Sequence, residues 1–254
     1  MKRVCLLMTL VCMMMVSCND GKHEGHGYVD LGLSVKWATC NVGATSPEEY
    51  GDYFAWGETS TKETYDEDNC PTYGLSISQL QSQGYIDSEG NLTSQYDAAT
   101  ANWGGNWRMP TKAELKELID KCTWTWTTQN GVNGYKVSAK NNSNYIFLPC
   151  AGYAAVNNYE CDAGEHGYYW SSTGENYGYY NEAQALKFDR QNRTSNFLDY
   201  RSNGFSVRPV CGGGFEGPAP QYAQVKIDKF TDITSTSVVY HCTVTEDSGS
   251  DVTA

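Results

Sequence analysis

One short amphipathic helix in a chain otherwise rich in strand signals is the feature that most constrains the fold. Thr111 and Glu114 have the spacing of a capping box, in which the two side chains accept each other's backbone N–H groups. Apolar residues then recur at i, i+3, i+4 and i+7 on one helical face. This pattern predicts a helix over about residues 112–121 that packs on a core, and it makes Glu114 a helix cap rather than a general base. The apolar positions are Leu115, Leu118, Ile119 and Cys122.

Strand signals dominate the sequence on both sides of this helix. Residues 28–44 are predicted to form two short strands around a turn, and residues 59–102 a long excursion. After the helix, 135–139 and 145–149 alternate in polarity about an Asn-rich turn, which predicts a hairpin. One helix followed by a run of antiparallel strands is typical of an α+β fold. Further strands are predicted at 167–173, 183–188 and 205–210, with turns at 130–131, 133–134 and 203–204.

Several large or charged residues are predicted to belong to the framework. Four tryptophans, Trp37, Trp56, Trp107 and Trp170, are interpreted as core residues, and so are Tyr168 and Tyr169 on the strand at 167–173. Arg208 lies between apolar neighbours in the last strand, which predicts an internal ion pair or hydrogen bonds to carbonyls.

The charge balance excludes some classes of partner. The chain of 254 residues has a formal net charge of −12, and only 19% of its residues are charged. Nucleic-acid phosphates need Lys and Arg, so an acidic surface argues against nucleic-acid binding and against docking on anionic lipid. The 19 tyrosines and 25 glycines instead suggest a loop-rich and strand-rich extracytoplasmic protein.

The N-terminus predicts export and a lipid anchor. Lys2 and Arg3 precede an apolar run to Val16 that is too short to span a bilayer, so residues 1–17 are interpreted as a signal peptide. Ser17 followed by Cys18 resembles a bacterial lipobox, in which the cysteine is lipidated, and residues 18–27 follow as a polar tether. We therefore expect an outer-membrane lipoprotein.

 The expected location is the outer membrane, with the chain attached through the lipid on Cys18 and exposed at the cell surface. No cofactor is predicted.

Metal binding finds little support in the sequence. His23 and His26 lie in the tether, which has no fixed geometry, and the acidic run at 66–69 lacks the alternating spacing and glycine of a calcium loop. The seven cysteines that follow Cys18 contain no CxxC pair, which disfavours zinc and thioredoxin-like sites. We therefore predict no metal site, and residues 66–69 are interpreted as a solvated loop.

The C-terminal part has a different composition. Residues 212–220 form a Gly/Pro-rich linker, and residues 221–254 contain two segments that alternate with period two. A single hairpin is marginally stable alone. We interpret 221–254 as the start of an all-β sandwich of the immunoglobulin or fibronectin-III type that is cut short.

Several blocks of residues 28–211 together resemble a known bacterial domain, the Fibrobacter succinogenes major paralogous domain, which is common in surface lipoproteins of gut anaerobes. That family is similar to the C-type-lectin-like fold in its formylglycine-generating-enzyme variant, so the resemblance implies this α+β fold. The blocks are YVDLGLSVKWATCNVGA, YGDYFAWGE, NWRMPTKAELKELI, CTWTWTTQNGVNGYKV, IFLPCAGY, GYYWSST and GFSVRPV.

The resemblance also bears on disulfides and activity. It favours a Cys40–Cys122 disulfide, with Cys122–Cys211, Cys150–Cys161 and free thiols as alternatives. Formylglycine-generating enzymes need a redox-active cysteine pair near the C-terminal end, and Cys211 has no such neighbour in sequence. The EPN, QPD and WND motifs of calcium-dependent lectins are also absent from the sequence. The resemblance therefore implies a protein that is not an enzyme.

A Tyr/Asn-rich segment at 153–200 is the predicted ligand surface. Tyrosine offers a large contact area at low entropy cost, and asparagine offers adaptable hydrogen bonds. The leading hypothesis is a surface-anchored binding module for a glycan or protein ligand. The alternatives are an assembly subunit of a cell-surface complex and, more remotely, an enzyme of the formylglycine-generating type. The predicted ligand-binding residues are Tyr159, Asn176, Tyr177, Tyr179, Tyr180, Asn192 and Asn196.

Overall fold

A computed structural model describes residues 21–23, 25–155, 159–175, 181–212, 224–231 and 239–246. For 21–23, 159–160, 224–231 and 239–246 it describes the backbone only. The described part is a mixed α+β structure, mostly β-sheet with three short helices, as the sequence predicts at this level. The helices are α1 (Ile77–Ser82), α2 (Ala98–Trp103) and α3 (Lys112–Lys121). The strands are β1 (Gly21–His23), β2 (His26–Val29), β3 (Lys36–Ala38), β4 (Tyr53–Phe54), β5 (Trp107–Arg108), β6 (Thr123–Gln129), β7 (Val132–Ser138), β8 (Tyr145–Pro149), β9 (Tyr153–Ala155), β10 (Tyr159–Cys161), β11 (Gly167–Gly174), β12 (Glu182–Phe188), β13 (Arg193–Tyr200), β14 (Phe205–Ser206), β15 (Val210–Cys211), β16 (Gln224–Thr231) and β17 (Val239–Glu246).

Three sheets and two hairpins organise these strands. One five-stranded sheet has the order β1-β2-β3-β15-β5, and a second has the order β13-β12-β11-β14-β4. A three-stranded antiparallel meander, β6-β7-β8, forms the third sheet. Strands β9 and β10 pair as one hairpin, and β16 and β17 as the other. Most pairs are antiparallel, but β11 and β14 run parallel.

Helix α3 forms as the sequence predicts. Thr111 and Glu114 make both halves of the capping box, and Leu115 and Leu118 are fully buried. Glu114 has a second role that the spacing did not reveal, because its Oε1 lies 2.5 Å from Nη2 of Arg108 on β5. The helix N-terminus is therefore tied to a sheet edge as well as capped.

The segment predicted as one last strand is divided between two sheets. Phe205 pairs with Phe54 in the second five-stranded sheet, whereas Val210 pairs with Trp37 and Arg108 in the first. The prediction of one continuous strand at 205–210 was wrong, because the chain crosses from one sheet to the other within four residues. This crossing joins the two large sheets.

The meander confirms the predicted hairpin and corrects one turn. Val137 pairs with Ile146, as the alternation on both sides of the Asn-rich turn implies. Asn130 and Gly131 link β6 to β7 with φ of 48° and 86°, which suits a tight hairpin turn. The turn predicted at 133–134 is wrong, since both residues lie inside β7. Position 134 requires glycine because the neighbouring strand packs closely against it. A Cβ there would lie 2.3 Å from the carbonyl oxygen of Leu148.

Two short helices lie within and at the end of the excursion at 59–102, for which no helix is predicted. Ser76 caps α1 through a capping box, and the carboxylate of Asp97 caps α2 by accepting the N–H of Thr100. Each helix has six residues, which is too short for an amphipathic period to stand out. In the loop at 66–69, Asp66 Oδ1 accepts the N–H of Asn69.

Buried arginines link distant parts of the chain. Arg208 is 1% exposed and donates Nε to Asn41 Oδ1 at 2.8 Å. Its Nη1 donates to the carbonyls of Ala38 and Thr39, at 3.1 and 2.7 Å, and its Nη2 to that of Phe147, at 2.9 Å. The predicted hydrogen bonds to carbonyls are thus confirmed. The guanidinium holds the segment after β3 against the meander.

Arg201 makes a similar set of bonds that the sequence did not suggest. It is also 1% exposed, and its Nη1 donates to the carbonyls of Thr72 and Leu75, at 3.1 and 2.8 Å. Its guanidinium lies 5.2 Å from the ring centre of Trp56. Burial lowers the pKa of Arg201 to about 10, so the side chain stays protonated at neutral pH.

The aromatic framework is confirmed. Trp37, Trp56, Trp107 and Trp170 are each 0–1% exposed, and Tyr169 is 1% exposed. Tyr168 is 4% exposed. Five of these rings fill the cores between α3 and the sheets and around β11, β14 and the 59–102 excursion. Trp107 packs with Ala38 and Cys211 in a smaller cluster.

The tail contains the two predicted strands, which pair antiparallel as β16 and β17. A sandwich built on them stays a prediction. Among the described residues, no helix is long and apolar enough to cross a membrane. The predicted signal peptide and Cys18 lie outside the described residues, as does most of the linker.

Candidate functional site

An open cleft lies where one end of the meander meets two turns. It has a volume of about 560 Å³. Its walls are mostly polar, with one tryptophan among them. The lining residues are Trp126, Thr128, Asn133, Gly164, Glu165, His166, Asp189, Arg190 and Gln191.

Side-chain hydrogen bonds hold the three elements of the cleft together. Thr128 Oγ1 on β6 donates to Asn133 Oδ1 on β7 at 2.9 Å. Asn133 Nδ2 then donates to the carbonyl of Gly164, at 3.1 Å, in the turn between β10 and β11. Tyr135 Oη donates to the carbonyl of Arg190, at 3.3 Å, in the turn between β12 and β13. The walls are therefore fixed by contacts that leave other side chains available to a ligand.

The β12–β13 turn holds a carboxylate in place. Oδ1 of Asp189 accepts the backbone N–H groups of Gln191 and Asn192 at 2.6 and 2.8 Å. These bonds, with His166 nearby, hold the pKa of Asp189 below its usual value. Asp189 therefore presents a negative charge to the cleft at neutral pH.

The β10–β11 turn carries a strained residue and an imidazole. Asp162 has a φ of 60°, in the left-handed region, and its Oδ2 accepts the hydroxyl of Tyr168 at 3.0 Å. His166 Nδ1 lies 3.6 Å from the same oxygen, beyond hydrogen-bond range. This nitrogen is buried and has no hydrogen-bond partner among the described residues. Glu165, between them, is exposed.

Two tryptophans on β6 differ in what covers them. Trp124 contacts Tyr135 and Phe188, and the Arg193 guanidinium lies 5.6 Å from its ring centre. Trp126 packs edge-on against Tyr135, with ring centres 5.3 Å apart, and is partly exposed. No Lys or Arg of the described chain stacks on Trp126. Its ring is therefore the apolar wall of the cleft.

The predicted ligand residues have mixed placements. Asn192 and Asn196 are both exposed, and Asn192 directly follows the cleft residue Gln191. Tyr159 lies on β10, where only the backbone is described. Asn176, Tyr177, Tyr179 and Tyr180 lie outside the described residues. The structure therefore brings one predicted residue, Asn192, next to the cleft.

The cleft residues themselves were missed by the sequence reasoning. Trp126, Glu165 and Arg190 come from three separated segments, and no local pattern marks them as neighbours. The available signal was weak: the turns at 162–166 and 189–192 fall inside the Tyr/Asn-rich segment, which directed attention to its tyrosines instead.

The six cysteines whose side chains the structure describes form no disulfide. Cys40 and Cys122, predicted to form a disulfide, are both free. They sit in different surroundings, since Cys40 Sγ contacts the carbonyl of Ala44 and Cys122 packs in the core beneath α3. Burial raises the pKa of Cys122 to about 11 and that of Cys150 to about 12. Such thiols are poor nucleophiles at neutral pH.

No set of three or more His, Cys, Asp or Glu side chains in the described parts of the chain is arranged to hold a metal ion. The absence of metal at the histidine tether and at residues 66–69 stays a prediction, and His23 is described by its backbone alone. The prediction that the tether has no fixed geometry is wrong at its end, because His26 lies in β2 and its ring stacks on that of Trp103, with ring centres 3.8 Å apart.

Comparison with known proteins matches a family model to part of the chain. The family model of a domain of unknown function (DUF8237) matches residues 124–210, which is less than half of the chain. The matched range contains every residue that lines the cleft. No curated protein matches the chain. No solved structure matches it either.

Proposed function

We propose that this protein is a non-catalytic binding module that holds a glycan in the cleft beside Trp126. The observation that carries the proposal is a partly exposed indole ring next to carboxylate, guanidinium and amide side chains. Aromatic faces stack on sugar rings, and hydrogen-bond donors and acceptors both bond to sugar hydroxyls. Pockets of this type orient a ligand through a few placed polar groups.

The wider setting is part of the same proposal. The blocks between residues 28 and 211 support membership in the Fibrobacter succinogenes major paralogous domain family, with its C-type-lectin-like fold. The lipobox-like sequence ending at Cys18 supports a lipid anchor and display at the outer membrane. The β16–β17 hairpin supports a following sandwich domain that acts as a spacer.

The chemistry of the thiols favours binding over catalysis. An enzyme of the formylglycine-generating type needs a reactive thiolate, which requires a lowered pKa. Burial instead raises the pKa of Cys211 and of Cys150. The proposal therefore assigns no catalytic residue.

Glycan-array binding of the full chain tests the proposal, with Trp126→Ala as the variant. Losing a stacking aromatic should weaken binding about tenfold or more. Tyr145→Ala is the matched control, because Tyr145 is also partly exposed on the meander but lies outside the cleft. Both variants should keep the wild-type circular dichroism spectrum.

The outcomes separate the candidate functions. A glycan that Trp126→Ala loses and Tyr145→Ala retains supports the cleft as a binding site. Binding that neither substitution changes would place the ligand elsewhere. Absence of glycan binding, together with stable capture of a protein partner, would favour the assembly-subunit alternative.

Membrane attachment is tested separately at Cys18. In a bacterial host, the wild-type chain should appear in the membrane fraction and incorporate labelled fatty acid. Cys18→Ser should lose both properties, and a lipid-labelled Cys18→Ser chain would contradict the proposed anchor.

A further inference from the structure

We infer that the cleft recognises a cationic group, the ammonium of an amino sugar, seated against Trp126 between Glu165 and Asp189. This inference rests on the proposed glycan-binding function and names the chemical class of the ligand. It combines two independent features of the cleft, its uncovered aromatic wall and its unbalanced charge.

The first feature is the contrast between the two tryptophans of β6. Trp124 has the Arg193 guanidinium 5.6 Å from its ring centre, within the range of a cation–π contact. Trp126, two residues along the same strand, has no such partner among the described residues. A cation from a ligand can occupy the position at Trp126 that the chain itself fills at Trp124.

The second feature is the excess of negative charge around Trp126. Glu165 and Asp189 line the cleft, and Asp162 lies just behind His166. Arg190 is exposed and is the permanently cationic side chain of the lining, and His166 adds a positive charge only when it is protonated. Within the described residues, neither Glu165 nor Asp189 forms a salt bridge with Lys or Arg. The net charge of −12 extends the same field over the whole chain.

The position of Asp189 suits it to this role. Its carboxylate is oriented by the backbone N–H groups of Gln191 and Asn192, so little ordering is required when a ligand arrives. Glu165 follows Gly164, whose φ of 82° shapes the turn. Thr128 and Gln191 line the same cleft and suit the hydroxyls of a saccharide rather than an isolated amine.

A matched pair of saccharides tests the inference. Glucosamine tetramer and its fully N-acetylated counterpart share one backbone and differ in the charge at each amine. Titration calorimetry on the full chain at pH 6 and low salt should give at least about fivefold tighter binding of the free-amine form. The advantage should shrink in 0.5 M NaCl, because salt screens exposed charges.

Two charge variants sharpen the test. Glu165→Gln should weaken binding of the glucosamine tetramer about threefold and leave the acetylated form unchanged. Arg190→Gln should tighten binding of the glucosamine tetramer about twofold, since it removes the repelling charge. An anionic ligand would show the opposite response to both substitutions.

Three results would overturn the assignment of a cationic amino sugar. Equal or tighter binding of the acetylated tetramer overturns the inference and leaves glycan binding in place. Binding of neither tetramer overturns the inference, while the glycan array still tests the proposed function. Nα-acetyl-lysine methylamide carries the same ammonium without the sugar, and its binding as tightly as glucosamine tetramer overturns the assignment to a saccharide.

Discussion

The charge on Arg208 is buried and hydrogen-bonded, whereas the charged side chains at the rim of the cleft are exposed to solvent. Arg208 is buried, and its donors reach Asn41 and three carbonyls. Glu165 and Arg190, at the rim, are exposed and form no salt bridge within the described residues. A buried charge is tolerated only when it is fully bonded, whereas an exposed charge is solvated at little cost. Substitutions near Arg208 should therefore affect stability, and substitutions at the rim should affect binding.

The largest expected effect is at Arg208. Arg208→Met leaves buried carbonyls without donors, and we expect the free energy of unfolding to fall by about 3–4 kcal/mol. Urea unfolding followed by tryptophan fluorescence measures this change. Arg193→Met is the matched control, because Arg193 is exposed, and it should cost about 1 kcal/mol or less. Equal losses of unfolding free energy in the two variants would contradict the distinction between a buried and an exposed arginine.

The buried thiols should make stability depend on pH. The pKa of Cys150 is raised to about 12 by burial, whereas a cysteine in the unfolded chain ionises near about 8.5. Stability from this group is present below the unfolded pKa and declines as pH rises above it, because only the unfolded chain then loses the proton.

We expect this decline to be about 1–2 kcal/mol between pH 8 and pH 10. Urea unfolding at pH 7.5, 8.5 and 9.5 measures it, and Cys150→Ala should show a shallower decline. Identical slopes for the two chains would contradict the assignment of a buried thiol.

Peptide mapping without reductant should also find Cys40 and Cys122 unlinked, and a mapped Cys40–Cys122 bridge would restore the prediction made from the sequence.

The cap of α3 should have an intermediate effect. Thr111→Ala removes the side chain that accepts the N–H of Glu114, and should lower the free energy of unfolding by about 1 kcal/mol. Ser76→Ala removes the same kind of cap from α1, a helix of six residues with one buried side chain, Leu80, and should cost less. A larger loss from Ser76→Ala would mean that α1 supports the framework more than α3 does.

The smallest expected effect on stability is at the rim. Glu165→Gln should change the free energy of unfolding by less than about 0.5 kcal/mol, since surface substitutions away from buried networks are usually neutral. The same variant should weaken the binding of the glucosamine tetramer. A variant that loses stability but keeps its affinity would reverse the distinction between framework and rim.

Sequence reasoning succeeded where the determining interactions are local. The capped helix, the hairpin between β7 and β8 and the turn at Asn130–Gly131 depend on residues close together in the chain. It failed at Gly134, where a turn was predicted from a dipeptide. Packing against Phe147 and Leu148, on a neighbouring strand, decides that position. Local preference is weak where a tertiary contact competes with it.

The sequence by itself determined the α+β class, the helix at 112–121, the buried tryptophans and the need of Arg208 for internal acceptors. These follow from capping, periodicity and the cost of burying a charge. Only the tertiary structure decided which acceptors Arg208 has, how residues 205–211 divide between two sheets, and where the cleft lies. Asn41 and Arg208 are 167 residues apart, and the cleft gathers three separated segments. Such contacts depend on how all the elements pack together, which no local pattern encodes.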